Sequence, residues 1–157
     1  MKYPNGPKSG WLKQAEEIVT GKIPINQEQL PTLLEWLRDY NWPGAKEIGD
    51  YLAQFADKLV EPVRIILRSG DNIWIYWITI VIIDRWPRSI CKLIAEDLKT
   101  VAYSFDKEGA HLETLMICAR EKLDKPNVLR KVAIEKSKKD IENQGEYKEI
   151  LSMIEGE

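Results

Sequence analysis

The sequence contains little of the chemistry that enzyme active sites commonly use. Its 157 residues include one histidine, His111, and two cysteines, Cys91 and Cys118, which do not form a CxxC pair. A single histidine excludes the HExxH zinc site and every other site that needs two imidazoles. The motifs GxxxxGK(S/T), GxGxxG and GxSxG are also missing, so neither a phosphate-binding loop nor a nucleophile elbow is predicted. We therefore predict no catalytic residue, no cofactor and no metal ion.

Long hydrophobic runs and strong net charge are missing as well. The longest apolar run, Ile73 to Ile83, has eleven residues, whereas a membrane-spanning helix needs about 20. The N-terminal residues MKYPNGPKSG contain no apolar segment of the signal-peptide type. The net charge of −2 favours neither nucleic acid nor an anionic membrane as a partner. These absences predict a cytoplasmic protein that binds neither nucleic acid nor membranes. They leave its oligomeric state open.

The two cysteines indicate the redox environment. Cys91 and Cys118 each lie among apolar residues that recur at helical spacing. Because buried cysteines behave as small apolar residues, this placement predicts two reduced, buried thiols in a cytosolic protein. A disulfide between them is the alternative, and sequence spacing cannot test its geometry.

The most ordered pattern in the chain is residues 33–45, LLEWLRDYNWPGA. Its leucines form an apolar stripe at helical spacing, with charged residues on the other side. Pro43 should end this helix, because the residue before a proline is displaced from the helical region, and a second helix should follow. Two helices joined by a few residues must pack closely. Trp36 and Trp42 are interpreted as filling the core and corner, with an aromatic ligand platform as the alternative.

The apolar run Ile73 to Ile83 allows two interpretations. Its Ile, Val, Thr, Trp and Tyr residues favour a buried strand. However, the run with its flanks is about twice as long as a typical strand, and no second run exists to pair with it. Asp71 can cap a helix that begins here. We therefore predict a helix that is apolar on most sides and buried in the middle of the protein.

The whole chain reads as one all-α domain spanning residues 1–157. Residues 1–10 are predicted to form a loose leader, and residues 126–157 a charged helical tail. Eight or nine helices are paired by short turns at a period of about 35 to 45 residues, which is typical of diverged α-solenoid repeats. The predicted architecture is a short right-handed stack of helix hairpins, similar to HEAT repeats. A compact orthogonal helical bundle is the alternative.

Two motifs carry a resemblance to a known family. The first spans WLRDYNWPGA, with Trp36, Leu37, Asp39, Asn41, Trp42, Pro43 and Ala45, and the second is DNIWIYW, with Asp71, Trp74, Tyr76 and Trp77. They resemble the motifs WLxDxNWPxA and DxxWxYW of a small bacterial family of HEAT-like helical proteins, a domain of unknown function. The resemblance covers about Leu30 to Ala102, and no counterpart is known for the tail after Lys125. Ile75 departs from the lysine that the family often has there.

The resemblance implies a helical fold and no chemistry. Members near bacterial toxin–immunity genes imply a partner-binding role, of which an immunity protein is one specific version. The carboxylates of Asp39 and Asp71 beside the two motifs could form an acid pair or an oxygen-rich metal site. The plainer interpretation is that Asp71 caps a helix and that Asp39 satisfies backbone groups at the turn.

These observations favour a non-enzymatic module that binds another protein. Exposed aromatic residues would be its anchors, because interface hot spots favour Trp, Tyr and Arg. One alternative is an enzyme or small-ligand binder that uses carboxylates near Asp39 and Asp71. Another is a structural homodimer with Trp11 or the tail helices at its interface. The candidate binding residues are Trp36, Asp39, Trp42, Asp71, Trp74 and Trp77.

Overall fold

The computed structural model describes residues 2–156, and every regular element in that range is helical. The prediction of an all-α protein is therefore confirmed. The α-helices are α1 (Trp11–Val19), α2 (Ala45–Leu52), α3 (Ala56–Leu67), α4 (Asn72–Val81), α5 (Arg88–Cys91), α6 (Ala95–Ala102), α7 (Ala110–Arg120), α8 (Pro126–Ser137) and α9 (Gln144–Glu155). Short 3-10 helices cover Lys8–Gly10, Leu30–Arg38, Ala53–Phe55, Ile83–Arg85, Lys92–Ile94 and Ile141–Asn143. No helix in the described range is long and apolar enough to cross a membrane.

The segment Leu30–Arg38 forms a 3-10 helix, whereas its leucine spacing predicted an ordinary α-helix. Its buried side chains are Leu30, Leu33, Leu34, Trp36 and Leu37. A 3-10 helix has three residues per turn, so side chains three positions apart line up. The buried residues fall on two adjoining rows of this kind. The apolar spacing therefore suits the tighter helix as well as it suits an α-helix.

The turn that follows depends on Gly44. This residue has a φ of 87°, and a Cβ placed on it would lie 2.6 Å from the Cβ of Ala15 in α1. Glycine alone accommodates both the left-handed backbone and the close approach of the helix. The Asp39 carboxylate accepts the backbone N–H of Asn41 at 2.9 Å, which closes the turn before α2 begins at Ala45.

Helix α3 contains a proline in its interior. The helix begins at Ala56, and Pro62 lies well inside it. A proline there removes one backbone hydrogen bond, to the carbonyl four residues earlier. That carbonyl belongs to Lys58, an exposed residue, so water can supply the missing donor. The helix is therefore compatible with an internal proline.

The apolar run Ile73 to Ile83 is helical, as predicted. Helix α4 begins behind Asp71, whose side chain accepts the backbone N–H of Trp74 at 3.1 Å, and a 3-10 turn continues it to Arg85. One side of α4 packs against the 3-10 helix Leu30–Arg38, α3 and α7. The other side is less covered than expected, because Ile73 is 47% exposed and Trp74, Tyr76, Trp77 and Ile80 are only partly buried.

Several helices pack against their neighbours in the chain. Helices α3 and α4, α6 and α7, and α8 and α9 contact each other. Helix α7 also contacts α4 and α9. The tail, which was predicted to be helical and charged, also contributes to the core through Tyr147, Ile150 and Ile154. Residues 138–143 separate its two helices.

The N-terminal segment is attached to the domain from Tyr3 onward, whereas residues 1–10 were predicted to be loose. Tyr3 is buried in the core. The Asn5 side chain accepts a hydrogen bond from the Gln14 amide at 2.7 Å, and the Trp11 indole N–H donates to the carbonyl of Gly6 at 3.1 Å. Side-chain anchoring of this kind leaves no periodicity in the sequence. Met1 lies outside the described residues.

Candidate binding surface

Of the two tryptophans at the corner between Leu30–Arg38 and α2, Trp36 lies in the core and Trp42 is partly buried against it. Trp36 is fully buried, and its indole N–H donates to the carbonyl of Pro43 at 2.8 Å. The Trp11 ring packs edge-on against Trp36 and Trp42, with centroids 6.4 and 5.3 Å away. This cluster joins α1 to the corner. Trp36 offers no surface to a ligand, and the core interpretation of the motif accounts for its aromatic residues.

The two predicted carboxylates are separate and have different partners. Asp39 closes the turn described above. Asp71 caps α4 and also pairs with Arg38 at 3.2 Å. No hydrogen bond or ion pair of the described residues joins Asp39 to Asp71. The structure therefore shows capping and turn roles for these residues.

Trp74 lies beside Asp71 at the edge of an apolar groove. Its indole N–H donates to the carbonyl of Leu34 at 3.0 Å, and the Arg38 guanidinium lies 4.7 Å from its ring centroid. The groove has a volume of about 240 Å³, and Ile65 on its wall is 69% exposed. The Trp74 groove is lined by Lys2, Pro31, Thr32, Leu34, Glu35, Pro62, Ile65, Ile66 and Trp74.

Trp77, one turn after Trp74 in α4, has different neighbours from Trp74. Its ring stacks on Tyr40 with centroids 5.1 Å apart and planes 28° apart, and it meets Tyr76 edge-on at 5.0 Å. Residues at spacings of three and four share one side of a helix, so Ile73, Tyr76, Trp77 and Ile80 form a single row. This apolar and aromatic row is the side of α4 that other helices leave partly uncovered.

Helices α7 and α9 extend this row into a broader surface. Two depressions adjoin at Glu113 of α7, with volumes of about 340 and 220 Å³. The larger is lined by Tyr76, Lys107, Glu108, Gly109, Leu112, Glu113, Asn143 and Glu146. The smaller is lined by Thr79, Ile80, Asp84, Glu113, Met116 and Ile117. We call the row on α4 together with these two depressions the α4–α7–α9 face.

Glu113 is a partly buried carboxylate at the centre of this face. Burial raises its pKa above the usual value for glutamate, and the nearby carboxylates of Asp84, Glu146 and Glu149 raise it further. No salt bridge of the described residues reaches Glu113. Sequence reasoning missed this residue because a glutamate on the polar side of an amphipathic helix is unremarkable. Its setting arises only when α9 packs against α7.

A second polar cluster that the sequence did not predict is closed to solvent. His111 is 2% exposed, and its ring lies 3.1 Å from Asp106 and 3.8 Å from Asp140. The Tyr147 hydroxyl lies 3.4 Å from the same ring and donates to Asp140 at 3.1 Å. These contacts tie the tail helices to α7. The cluster is therefore interpreted as structural.

Both cysteines are free and buried. Burial raises the pKa of Cys91 to about 11 and that of Cys118 to about 12. Since the thiolate is the reactive form, we expect both to resist a thiol reagent such as DTNB in the native protein at about pH 8 and to react quickly in denaturant. Rapid labelling of one thiol per native chain would contradict this arrangement.

The fold and the surfaces described above define an all-helical domain that exposes apolar side chains along one helix. The chain belongs to the family described as a domain of unknown function, DUF5071, whose profile matches residues 13–123. The match runs from α1 to the end of α7, and α8 and α9 lie beyond it. No curated protein and no solved structure matches the chain. Among the described residues, no group of three or more His, Cys, Asp or Glu side chains is arranged to hold a metal ion.

Proposed function

We propose that this protein is a non-enzymatic helical module that binds another protein through the exposed row of α4. The observation that carries the proposal is the exposure of Ile73 at 47%, in a row otherwise made of two aromatic residues and Ile80. Uncovered apolar surface on a central helix is a common feature of protein interaction sites. Fully burying an exposed isoleucine side chain is worth about 1.5–3 kcal/mol. Because Ile73 is 47% exposed, a partner that covered it would gain about half of that.

The aromatic residues near this row are held rigidly. Trp77 is stacked on Tyr40, and Trp74 is fixed by its hydrogen bond to Leu34 and by the Arg38 guanidinium over its ring. Side chains that are already ordered lose little conformational entropy when a partner binds. Trp, Tyr and Arg are also the residues that most often dominate binding energy at interfaces. Both features support a protein-binding role.

The hydrogen bonds of the carboxylates also support a non-enzymatic role. Asp39 and Asp71 accept backbone N–H groups, and Glu35 and Asp71 both pair with Arg38. These contacts are explained by helix capping, turn formation and ion pairing, and none of them needs a catalytic role. The alternative of an enzyme near Asp39 and Asp71 therefore has less support than the binding module.

The finer architecture forms part of the same proposal. The consecutive pairs α3/α4, α6/α7 and α8/α9, together with the contacts of α7 with α4 and α9, support a short HEAT-like stack of hairpins. We propose that this stack is right-handed. Such a stack presents one helix of each pair along a continuous surface. An experimental structure in which the hairpins surround one common centre would favour the orthogonal bundle instead.

The family resemblance offers a more specific version, a bacterial immunity-type protein in the cytoplasm. Its partner would be the product of a neighbouring gene. Purified neighbouring gene products, tested one at a time by calorimetry, would identify such a partner. The binding module as such does not depend on this version, since any protein partner would satisfy it.

We predict that Ile73→Asp weakens partner binding about tenfold or more without unfolding the protein. An aspartate at the second position of α4 lies near the positive end of the helix dipole, so the helix should tolerate it. Leu93→Asp is the matched control, because Leu93 is 56% exposed and lies outside α4. The measurement is the dissociation constant of an identified partner for wild type and both variants, with melting temperatures in parallel. Equal affinity of wild type and both variants for the partner would contradict the proposal.

A further inference from the structure

The α4–α7–α9 face combines apolar side chains with carboxylates that have no cationic partner among the described residues. Glu108, Glu113 and Glu146 line its larger depression, and Glu149 lies close enough to raise the pKa of Glu113. None of these four is in an ion pair with another described residue. Asp84, by contrast, is paired with Arg120 at 2.5 Å. The surface is thus more acidic than a net charge of −2 for the whole chain suggests.

We propose that this face receives a cationic, amphipathic segment of the partner protein, with a lysine or arginine side chain between Tyr76 and Glu113. The inference rests on the proposed function and specifies the chemistry of the partner. A cation in the larger depression would meet the Tyr76 ring and the carboxylates of Glu113 and Glu146. Apolar residues of the same segment would cover Ile73, Ile80 and Met116.

Physical chemistry favours this occupant. A carboxylate that is partly buried and unpaired gains more from an ion pair than an exposed carboxylate does, because screening by water is weaker. The Tyr76 ring adds a cation–π contact, worth about 0.5–1 kcal/mol at a partly exposed site. Met116 can adapt its shape to an apolar neighbour. The mixture of ring, carboxylate and thioether therefore suits a segment that carries both charged and apolar side chains.

The same charges disfavour other occupants. A second copy docking through this face would bring Glu113, Glu146 and Glu149 against themselves, because a twofold interface pairs a surface with itself. Like charges placed together across an interface cost binding energy. Lys107 lines the larger depression too, but it is outnumbered by the carboxylates around it. An anionic partner would meet the same repulsion.

Glu113 is also expected to affect the stability of the protein. Its raised pKa means that the native state holds this proton more tightly than the unfolded chain does. The free energy of unfolding therefore falls as the pH rises from the usual pKa of glutamate to the raised one. Glu113→Gln should remove this loss and raise the melting temperature at neutral pH by about 2 °C. A carboxylate that lowers stability where it lies is more easily explained by binding than by folding.

The test uses two amphipathic peptides of equal length, one built from leucine and lysine and one from leucine and glutamate. Each is titrated into isotope-labelled full-length protein, and amide shifts are followed by NMR. The lysine peptide is expected to shift the amides of Tyr76, Glu113 and Glu146. Its dissociation constant should rise about fivefold in Glu113→Gln. The matched control is Glu96→Gln, because Glu96 in α6 has a side chain that is 87% exposed and lies away from the face.

Each outcome decides the inference. Shifts confined to the α4–α7–α9 face, with a loss of affinity in Glu113→Gln alone, support it. Three results would overturn the inference. The two peptides could bind equally well, the lysine peptide could lose the same affinity in Glu113→Gln and Glu96→Gln, or the Glu113 amide could fail to shift at a millimolar concentration of the lysine peptide. In those cases the proposed function still stands if Ile73→Asp weakens binding of the natural partner. Light scattering could also detect a dimer that becomes more stable in Glu113→Gln. This result would show that a second copy occupies the face, and it would overturn the inference as well.

Discussion

Replacing Trp36 by alanine is expected to lower the free energy of unfolding by about 3–5 kcal/mol, the cost of removing a buried aromatic side chain. Trp36 is fully buried, and its indole N–H is bonded to the carbonyl of Pro43. The variant would leave a cavity between α1 and the corner, and it would leave that carbonyl without its donor. For a chain of this size the melting temperature should fall by about 6–20 °C. Urea unfolding followed by circular dichroism measures the loss.

Two further variants test this account of Trp36: Trp36→Phe isolates its hydrogen bond, and Trp42→Ala provides a comparison with a partly buried tryptophan. Trp36→Phe keeps much of the ring volume but removes the indole N–H, so about 1 kcal/mol of the loss should come from the bond to Pro43. Trp42→Ala removes a partly buried ring and should cost about 1–2 kcal/mol. If Trp36→Ala proved nearly as stable as wild type yet failed to bind the partner, the assignment of Trp36 to the core would be wrong.

Replacing Asp106 by alanine is expected to lower the free energy of unfolding by about 3 kcal/mol. The carboxylate accepts the backbone N–H groups of Ala110 at 3.1 Å and of His111 at 2.8 Å. It also lies 3.1 Å from Nδ1 of the His111 ring. Alanine would leave two buried donors at the start of α7 without an acceptor, which is costlier than the bonds themselves. Tyr147→Phe removes only the hydroxyl at the far side of the ring and should cost about 1 kcal/mol.

The Asp106 carboxylate also predicts part of the loss of the protein's stability in acid. Burial raises the pKa of Asp106, but the hydrogen bonds from His111 and Ala110 outweigh it, so the pKa lies below the usual value for aspartate. A lowered pKa contributes stability that is present above about pH 4 and lost as the pH falls further. Asp106→Asn should lack this part of the pH dependence, so its stability should fall less steeply in acid. Parallel acid-unfolding curves for variant and wild type would contradict the assignment.

Local patterns explain why the helices could be predicted. The run Ile73 to Ile83 was predicted as a helix because it was too long for one strand and had no partner strand. The cap at Asp71 was predicted because capping involves residues only three positions apart. The helix type of Leu30–Arg38 was not predicted correctly, because its apolar spacing fits three residues per turn as well as it fits 3.6.

The candidate binding residues show the limits of such patterns. Trp36 and Trp74 are the same residue type at helical positions in the two family motifs. One is fully buried and the other borders an open groove. Which side of a helix is covered depends on the neighbour that packs there, and that neighbour is distant in sequence. Glu113 and Glu146 likewise become neighbours only when α9 packs on α7.

The helical class, the position of the main apolar helix and the lack of the usual catalytic motifs could all be predicted. These properties follow from composition and from interactions between residues a few positions apart. Three further properties emerged from tertiary packing: which aromatic side chains stay exposed, the contribution of the tail to the core, and the gathering of unpaired carboxylates beside α4. Those properties arise from contacts between helices, and the net burial of each side chain depends on all the elements around it.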